Sequence, residues 1–495
     1  MSEVRTVDVR TGVYYDSVTL MQASRAVRDV DGVLSALVAM ATPLNLDLLA
    51  DMGFEAPEAA PGDMLVAVRA RDEAAVAAAQ QALDASLAQL SGNRSDPSAG
   101  LPGQPAPRTI ASAARLIPAA NIALISVPGP NAFPEAVDAL SAGLHVMLFS
   151  DNVSVPDEVV LKDAAAERGL LMMGPDCGTA LIAGVGLGFA NSVRPGPVGM
   201  VAASGTGAQQ VMCLLDNAGV GVSHVLGVGG RDLSSAVGGR STLRALKVLG
   251  DDPATEVVMV LSKPPAPEVA ERVRATAAGL GKPVVLALLG RGHDDLTSAT
   301  EKALAAAGIE PPPWPALAPL RAPQARRGAL RGLFTGGTLC DEAMLIAAAR
   351  LGTVRSNTPL EPDWALPPGL KGTGHLMIDF GDDQLTRGRA HPMVDPTMRL
   401  ERFAAEAADP DVAVILLDVV LGHGSHPDPA HELSAAIRHG LRDDLAVIIS
   451  LCGTEADPQG WHRQAEPLRA AGAWVHLSNA AAARHAAALA EGNAR

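Results

Sequence analysis

The sequence predicts a multidomain α/β protein in which a small α/β module precedes several parallel sheets covered by helices. Three observations predict it. From residue 121 onward, short apolar runs of strand length alternate with segments of helical spacing, the pattern of sheets buried on both faces. Hydrophobic residues make up 48% of the chain but aromatic residues 3%, so small side chains let helices sit close on sheets. The last part of the chain also repeats the element order of the middle part.

The elements follow in order. Residues 5–90 begin with "TVDVRTGVYY", whose alternation and β-branched content predict a strand. "DSVTLMQASRAVRDV" then has helical spacing. "GVLSALVAMAT", "PLNLDLLADMG", "DMLVAVRA" and "DEAAVAAAQQALDASLAQL" continue the order strand, helix, strand, helix. Two stretches read as linkers: 91–108, "SGNRSDPSAGLPGQPAPR", and 310–327, "EPPPWPALAPLRAPQARR". Proline bars the second from a helix or a central strand. Between them, "NIALISVPG", "HVMLFSD" and "LLMMGPD" are parallel-strand candidates, followed by "PVGMVAASGTGAQQVMCLLDNAG", "VSHVLGVGGRD", "EVVMVLSKPP" and "PVVLALLGRG". After the second linker come "GLFTGGTLCDEAMLIAAARLG", "HLMIDFGDD", "VAVILLDVV" and "LAVIISLCG". The strand, Gly/Thr turn and helix of "MVAASGTGAQQVMCLLDNAG" return in "GLFTGGTLCDEAMLIAAARLG". "LRALKVLGDDPATEVVMVLSKPP" returns in "LERFAAEAADPDVAVILLDVVLG". This predicts two domains related by duplication.

A formal charge of −15 opposes nucleic acid and anionic membrane as partners. Four widely spaced cysteines fit reduced thiols, and no run approaches the roughly 18 apolar residues of a membrane helix. The expectation is a soluble cytoplasmic protein that binds a small anionic molecule.

The anion site is expected at two corners. Ser204, Gly205, Thr206 and Gly207 open one helix; Thr335, Gly336, Gly337 and Thr338 open its counterpart. First-turn amides lack helical partners and, with the dipole, attract anions, while glycine permits close approach. Simple N-capping by Ser204 or Thr206 would explain the same residues without a ligand. Neither corner is followed by the Gly-Lys-Ser/Thr of a P-loop. Arg231, Arg240, Arg387 and Arg389 follow Gly-rich turns and could pair with carboxylate or phosphate. His391 and Asp395 form a general-base or phospho-acceptor pair, or else cap a turn and the next helix. "LGHGSHPDPAH" gathers His423, His426 and His431 after a buried strand. It reads as a substrate-contact or structural loop, and no metal site is expected. Arg291 and His293 follow another strand end, and Cys177 reads as a buried thiol.

Several of these segments resemble a known family. "GPDCGTALIAGVGLGF", "GMVAASGTGAQQV", "GVGGRDL" and "DDPATEVVMVL" are similar to the succinyl-CoA synthetase α subunit and closer to the acyl-CoA synthetase FdrA family. "LFTGGTLCDEA", "GRAHPMVDPTMRL" and "HGSHPDPA" look like that family's C-terminal half. The resemblance implies a Rossmann-like CoA-binding-type domain at 109–195 and two flavodoxin-like ligase domains at 196–309 and 328–495. It also implies a phosphohistidine or acyl phosphate held between two helix N-termini, and partner subunits or a homodimer. It implies CoA as a cofactor, although "RLIPAANIALISVPG" lacks the synthetases' Gly-rich phosphate loop. Their phosphohistidine loop corresponds here to "GRGHDDLTSA", which makes His293 the stand-in, followed by two aspartates that repel phosphate. No segment resembles an ATP-grasp domain. The implied activity is acyl-CoA synthetase (NDP-forming) or acyl-transfer chemistry on an acyl or carbamoyl phosphate. One family role is a subunit of oxamate carbamoyltransferase, needing neither CoA nor ATP, with Arg389 holding the carboxylate. A non-catalytic scaffold subunit is the other alternative.

Overall fold

A computed structural model describes residues 3–13, 15, 17–60, 62–92, 107–321, 323, 326–386 and 390–492. The chain falls into two units: Met1–Arg108 with Asp383–Asp395, and Thr109–Asp382 with Pro396–Arg495.

In the first unit the expected alternation of strands and helices appears as β1 (Val4–Arg10), α1 (Ser17–Arg28), β2 (Val33–Met40), α2 (Pro43–Asp51), β3 (Met64–Ala70) and α3 (Glu73–Gly92). The sheet order is β1-β3-β2, and β3 runs antiparallel to both neighbours. Alternate side chains of β3 serve opposite faces. Val66 and Val68 pack with Leu20 and Val27 of α1 and Leu83 of α3, whereas Leu65 and Ala67 pack with Leu49 and Phe54. Most of the 91–108 linker lies outside the described residues.

The second unit opens with α4 (Ile110–Leu116), whose start is fixed by reciprocal hydrogen bonds between Thr109 and Ser112. Next come β4 (Ile122–Ile125), α5 (Gly129–Ser141), β5 (His145–Leu148), α6 (Val155–Glu167) and β6 (Met172–Met173), a parallel sheet in the order β4-β5-β6. The hairpin of β7 (Thr179–Ile182) and β8 (Val185–Gly188) falls inside the expected 109–195 domain. It extends the next sheet instead, because β7 pairs antiparallel with that sheet's edge.

That sheet contains β9 (Pro195–Ala203), then α7 (Gly205–Asn217), β10 (Val222–Gly227), α8 (Arg240–Asp251), β11 (Val257–Ser262), α9 (Pro267–Ala278), β12 (Val284–Leu288) and α10 (Leu296–Ala306). Its order is β12-β11-β9-β10-β7-β8. A two-residue strand, β13 (Ala316–Leu317), lies in the Pro-rich 310–327 stretch and pairs at a sheet edge with the strand 473–476.

The last lobe begins with β14 (Ala329–Phe334), α11 (Gly337–Leu351), β15 (Val354–Ser356) and β16 (His375–Asp379). The short α12 (Asp383–Thr386) belongs to the first unit. The lobe resumes with α13 (Thr397–Ala408), β17 (Val412–Val420), α14 (Pro429–Gly440), β18 (Ala446–Cys452), α15 (Trp461–Ala470), β19 (Ala473–His476) and α16 (Asn479–Glu491). Its order is β13-β19-β18-β17-β14-β16-β15, and every residue of β14, β17 and β18 is buried. Both lobes therefore arrange their first four major strands as second, first, third, fourth. In such sheets ligands bind beyond the carboxyl ends, where the strand order reverses.

Candidate functional site

The carboxyl ends of β9 and β14 carry the two Gly/hydroxyl corners, and the fold brings them together. Ser204 has extended backbone and caps α7: its Oγ accepts the Gly207 N–H at 2.9 Å. The same hydroxyl donates to Thr338 Oγ1 at 2.6 Å, from the start of one lobe's helix to the start of the other's. Thr206 is equally close to the second corner. A Cβ at Gly336 would lie 2.6 Å from Thr206 Oγ1 and 2.7 Å from its Cβ. Glycine at 336 is what permits this approach.

The corners differ in what already occupies them. Thr335 N–H and Gly336 N–H donate to the Asp418 carboxylate at 2.7 and 2.9 Å, and Thr335 Oγ1 adds a third donor at 3.0 Å. Asp418, near the end of β17, is fully buried and pairs with Arg399 at 2.9 Å. Burial pushes its carboxyl up, against the pull of Arg399 and the Thr335 and Gly336 donors. The expected outward presentation of Thr335 and Gly336 is thus corrected, since an internal anion takes their amides. Gly205, Thr206 and Gly337 remain partly exposed, and their N–H groups have no acceptor among the described residues.

Charged side chains converge on Gly337. A Cβ there would lie 2.6 Å from Asp379 Oδ2 and 2.8 Å from Lys263 Nζ. Lys263 follows β11, Asp379 ends β16, and Asp341 on α11 stands 3.3 Å from the Lys263 ammonium. Burial opposes the charge on Lys263, but Asp341 and Asp379 outweigh it and raise its pKa. Burial likewise raises Asp341, against Lys263. It pushes Asp379 up to about 7, against Lys263 and the Gly381 N–H. Sequence reasoning missed Lys263, Asp379, Asp418 and Arg399. The available signal was a charged residue at or near the carboxyl end of an apolar strand, as in "EVVMVLSKPP", "HLMIDF" and "VAVILLDVV".

Other expected site residues lie elsewhere. Arg231 pairs with Glu158 at 3.0 Å and donates to the Val153 carbonyl, beside the buried Lys162–Asp232 pair. Its guanidinium belongs to the packing of α6 against the 228–232 turn rather than to the corners. His426 is buried and accepts the Asp428 N–H through Nδ1, just ahead of α14. His293 is exposed on the turn after β12, two strand positions from β9, about 10 Å in sheet spacing. His391 Nδ1 accepts the Met393 N–H and its carbonyl accepts from Val394 and Asp395, so it heads a turn. The Asp395 carboxylate pairs with Arg28 of α1 at 2.6 Å, within the first unit. The expected His391–Asp395 relay is corrected accordingly. Arg387 and Arg389 lie outside the described residues.

Comparison with known proteins places these features in a family. The chain is 40% identical over 94% of its length, and 94% of the relative's, to the uncharacterized protein YahF of Escherichia coli K12. The chain belongs to the FdrA family. A CoA-ligase family model matches residues 333–489, starting at the second corner's strand. A model described as AllF, heavy metal-associated domain, matches residues 1–101. The succinate–CoA ligase subunit alpha 2 of Archaeoglobus fulgidus is 30% identical over 34% of this chain and 58% of that one. The chain thus spans less than two thirds of the length of such ligase subunits. An acetyl-coenzyme A synthetase from Ca. Korarchaeum cryptofilum, solved with phosphate and ADP, aligns over 75% of this chain and 84% of that one at 18% identity, with a TM-score of 0.30. This FdrA-family chain is thus similar to succinate–CoA ligase subunits over about a third of its length and to the CoA-ligase model over residues 333–489.

FdrA kinship implies CoA, whose phosphates would meet the first Rossmann-like turn. A phosphate cradle there needs the first-turn amides of α5. Pro128 and Pro130 have no N–H, Asn131 N–H is taken by the Pro128 carbonyl, and the Asp151–Asn152 backbone presses on Gly129. These residues do not fit the phosphates of CoA. Residues 1–101 contain neither Cys nor His, so they offer a metal no thiolate or imidazole ligand. Among the described residues, no group of His, Cys, Asp and Glu is arranged to hold a metal, and no helix is long and apolar enough to cross a membrane.

Proposed function

We propose that this chain is a ligase-type enzyme subunit that handles a carbonyl phosphate, either an acyl or a carbamoyl phosphate, where α7 and α11 begin. The observation that carries the reading is the 2.6 Å Ser204–Thr338 hydrogen bond, which fixes two helix N-termini against one another. The amides of Gly205, Thr206 and Gly337, at these two helix starts and without an acceptor among the described residues, would stabilise phosphoryl oxygens and a developing oxyanion. Lys263 supplies a cation beside them.

Of the two chemistries, carbamoyl exchange between oxamate and phosphate is favoured by the prolines at the start of α5, because it asks for no CoA phosphate cradle. In that reaction the oxamate amide nitrogen attacks the carbamoyl carbon. The carbon–oxygen bond to phosphate breaks, phosphate leaves with the electron pair, and the nitrogen gives up a proton. Acyl-CoA ligation, the activity in the printed names of the succinate–CoA ligase relatives, is the second reading. Those relatives are named as subunits, which supports assay together with co-purified partners.

The test incubates the protein and its co-purified partners with carbamoyl phosphate and oxamate, or with an acyl phosphate and CoA, and follows released phosphate. Ser204→Asp preserves a helix cap but places a fixed negative charge at the locus. It is expected to abolish turnover and inhibition by inorganic phosphate. Undiminished turnover in that variant would remove the corners from the reaction.

A further inference from the structure

The locus at Gly337 contains a buried carboxyl group with a single hydrogen-bond donor. Asp379 is 4% exposed. Its Oδ1 accepts the Gly381 N–H at 2.9 Å, whereas Oδ2 accepts no hydrogen bond among the described residues and points at the first residue of α11. A carboxylate so enclosed, with one hydrogen-bond donor for its two oxygens, is poorly stabilised, but the protonated group becomes a donor itself. The surrounding charges make the same demand. Lys263 after β11 and Asp341 on α11 offset one another. Asp382 adds further negative charge beside Asp379, and the Cys340 thiol on α11 is held neutral by burial. With Asp379 ionised, an arriving anion meets net negative charge. With Asp379 protonated, one negative charge fewer opposes it, and it meets the offset Lys263–Asp341 pair, an O–H donor and the Gly337 amide, with Asp382 as the remaining negative charge.

We infer that the anionic substrate of this site is bound together with one proton, taken up by Asp379, while Lys263 holds the anion's charge. The inference rests on the carbonyl-phosphate reading of the corners and adds a pH-linked binding step and two residues to it. Asp379 is placed for this role because burial brings its pKa to about 7, within reach of ordinary conditions. The sign follows from linkage. An anion raises the carboxyl's proton affinity, so affinity is full below the free site's pKa and weakens above it, by about tenfold per pH unit.

The probe is sulfate, whose charge stays constant from about pH 6 to about pH 8.5, the range over which phosphate itself titrates. Equilibrium dialysis of radiolabelled sulfate against the full-length protein, at constant ionic strength, is expected to show weakening affinity across the upper part of that range. Asp379→Asn keeps a donor at the site and is expected to bind sulfate with no pH slope. Lys263→Met should lose about tenfold or more at every pH, and Lys263→Arg should recover most of it. Calorimetry of the unmutated protein in buffers of differing ionisation heat should register proton uptake, which decides the matter even if Asp379→Asn fails to fold. Sulfate binding that Ser204→Asp abolishes but that is level across the pH range, without proton uptake, overturns this inference and leaves the carbonyl-phosphate reading standing. Sulfate binding that is absent, or indifferent to Ser204→Asp, overturns both.

Discussion

Ser204 Oγ and Thr338 Oγ1 stand 2.6 Å apart although 134 residues separate them in the chain. Ser204 uses that one oxygen twice, as helix cap and as donor to the other lobe. Ser204→Ala therefore loses two interactions and Thr338→Val one. We expect losses of about 1–3 and about 1 kcal/mol respectively, with a coupling of about 0.5–1 kcal/mol in the double variant. Urea unfolding of the four proteins measures it. Strict additivity would mean that the hydroxyls do not interact.

Both corners were legible because they are local events, a buried strand meeting glycine and a hydroxyl before a helix. The lobes were legible for a similar reason, since "LRALKVLGDDPATEVVMVL" and "LERFAAEAADPDVAVILLDVV" became α8–β11 and α13–β17 in matching sheets. Side chains arriving from other strands were not legible. Asp418 reaches Thr335 across 83 residues, and no local spacing announces that a buried carboxylate fills the second corner's amides. His391 and Asp395 misled in the opposite direction. Their spacing suggested a relay, yet Asp395 finds its cation at Arg28, 367 residues away in the sequence.

Glu342 gives a pH test of the contact between the lobes. Its carboxylate accepts Leu296 N–H at 2.6 Å and Asn479 Nδ2–H at 2.7 Å, while burial pushes its pKa from 4.5 up to about 7. Between those values the native state keeps a proton that the unfolded chain has released. Its contribution therefore falls as pH rises through that window, by at most about 1.4 kcal/mol per pH unit, and is level above it. Glu342→Gln should remove this slope from the stability–pH profile. A parallel profile for variant and parent would show that Glu342 is ionised throughout.

The four cysteines offer a test of packing. All are buried and free, and Cys213 of α7 lies 3.8 Å from Cys452 at the end of β18, sulfur to sulfur. Burial raises the Cys213 thiol well above its usual range and lifts Cys177 to about 12. Thiolates, not thiols, react with disulfide reagents. We expect negligible labelling of the native protein and complete labelling once it is unfolded. Rapid native labelling of Cys213 or Cys452 would mean that the lobes separate readily.

Gly336 bears on the closeness of the corners most directly. Its backbone is ordinary, with φ of −116°, so alanine there meets no local strain. What it meets is Thr206, with Oγ1 at 2.6 Å and both Cβ and Cγ2 at 2.7 Å, on a β-branched side chain with little freedom to turn away. Gly336→Ala must push one helix start from the other, and we expect a loss of about 1–3 kcal/mol. Thr206→Gly clears the space at a helix-propensity cost of about 1 kcal/mol. The double variant should then be no less stable than Thr206→Gly alone. Gly62→Ala, where a Cβ meets nothing within 4 Å, serves as a control, with an expected effect within about 0.5 kcal/mol. If Gly336→Ala behaved like this control, the helix starts could not be in contact. If it were harmful but Thr206→Gly gave no relief, the obstacle would lie elsewhere and Thr206 would not bound the site.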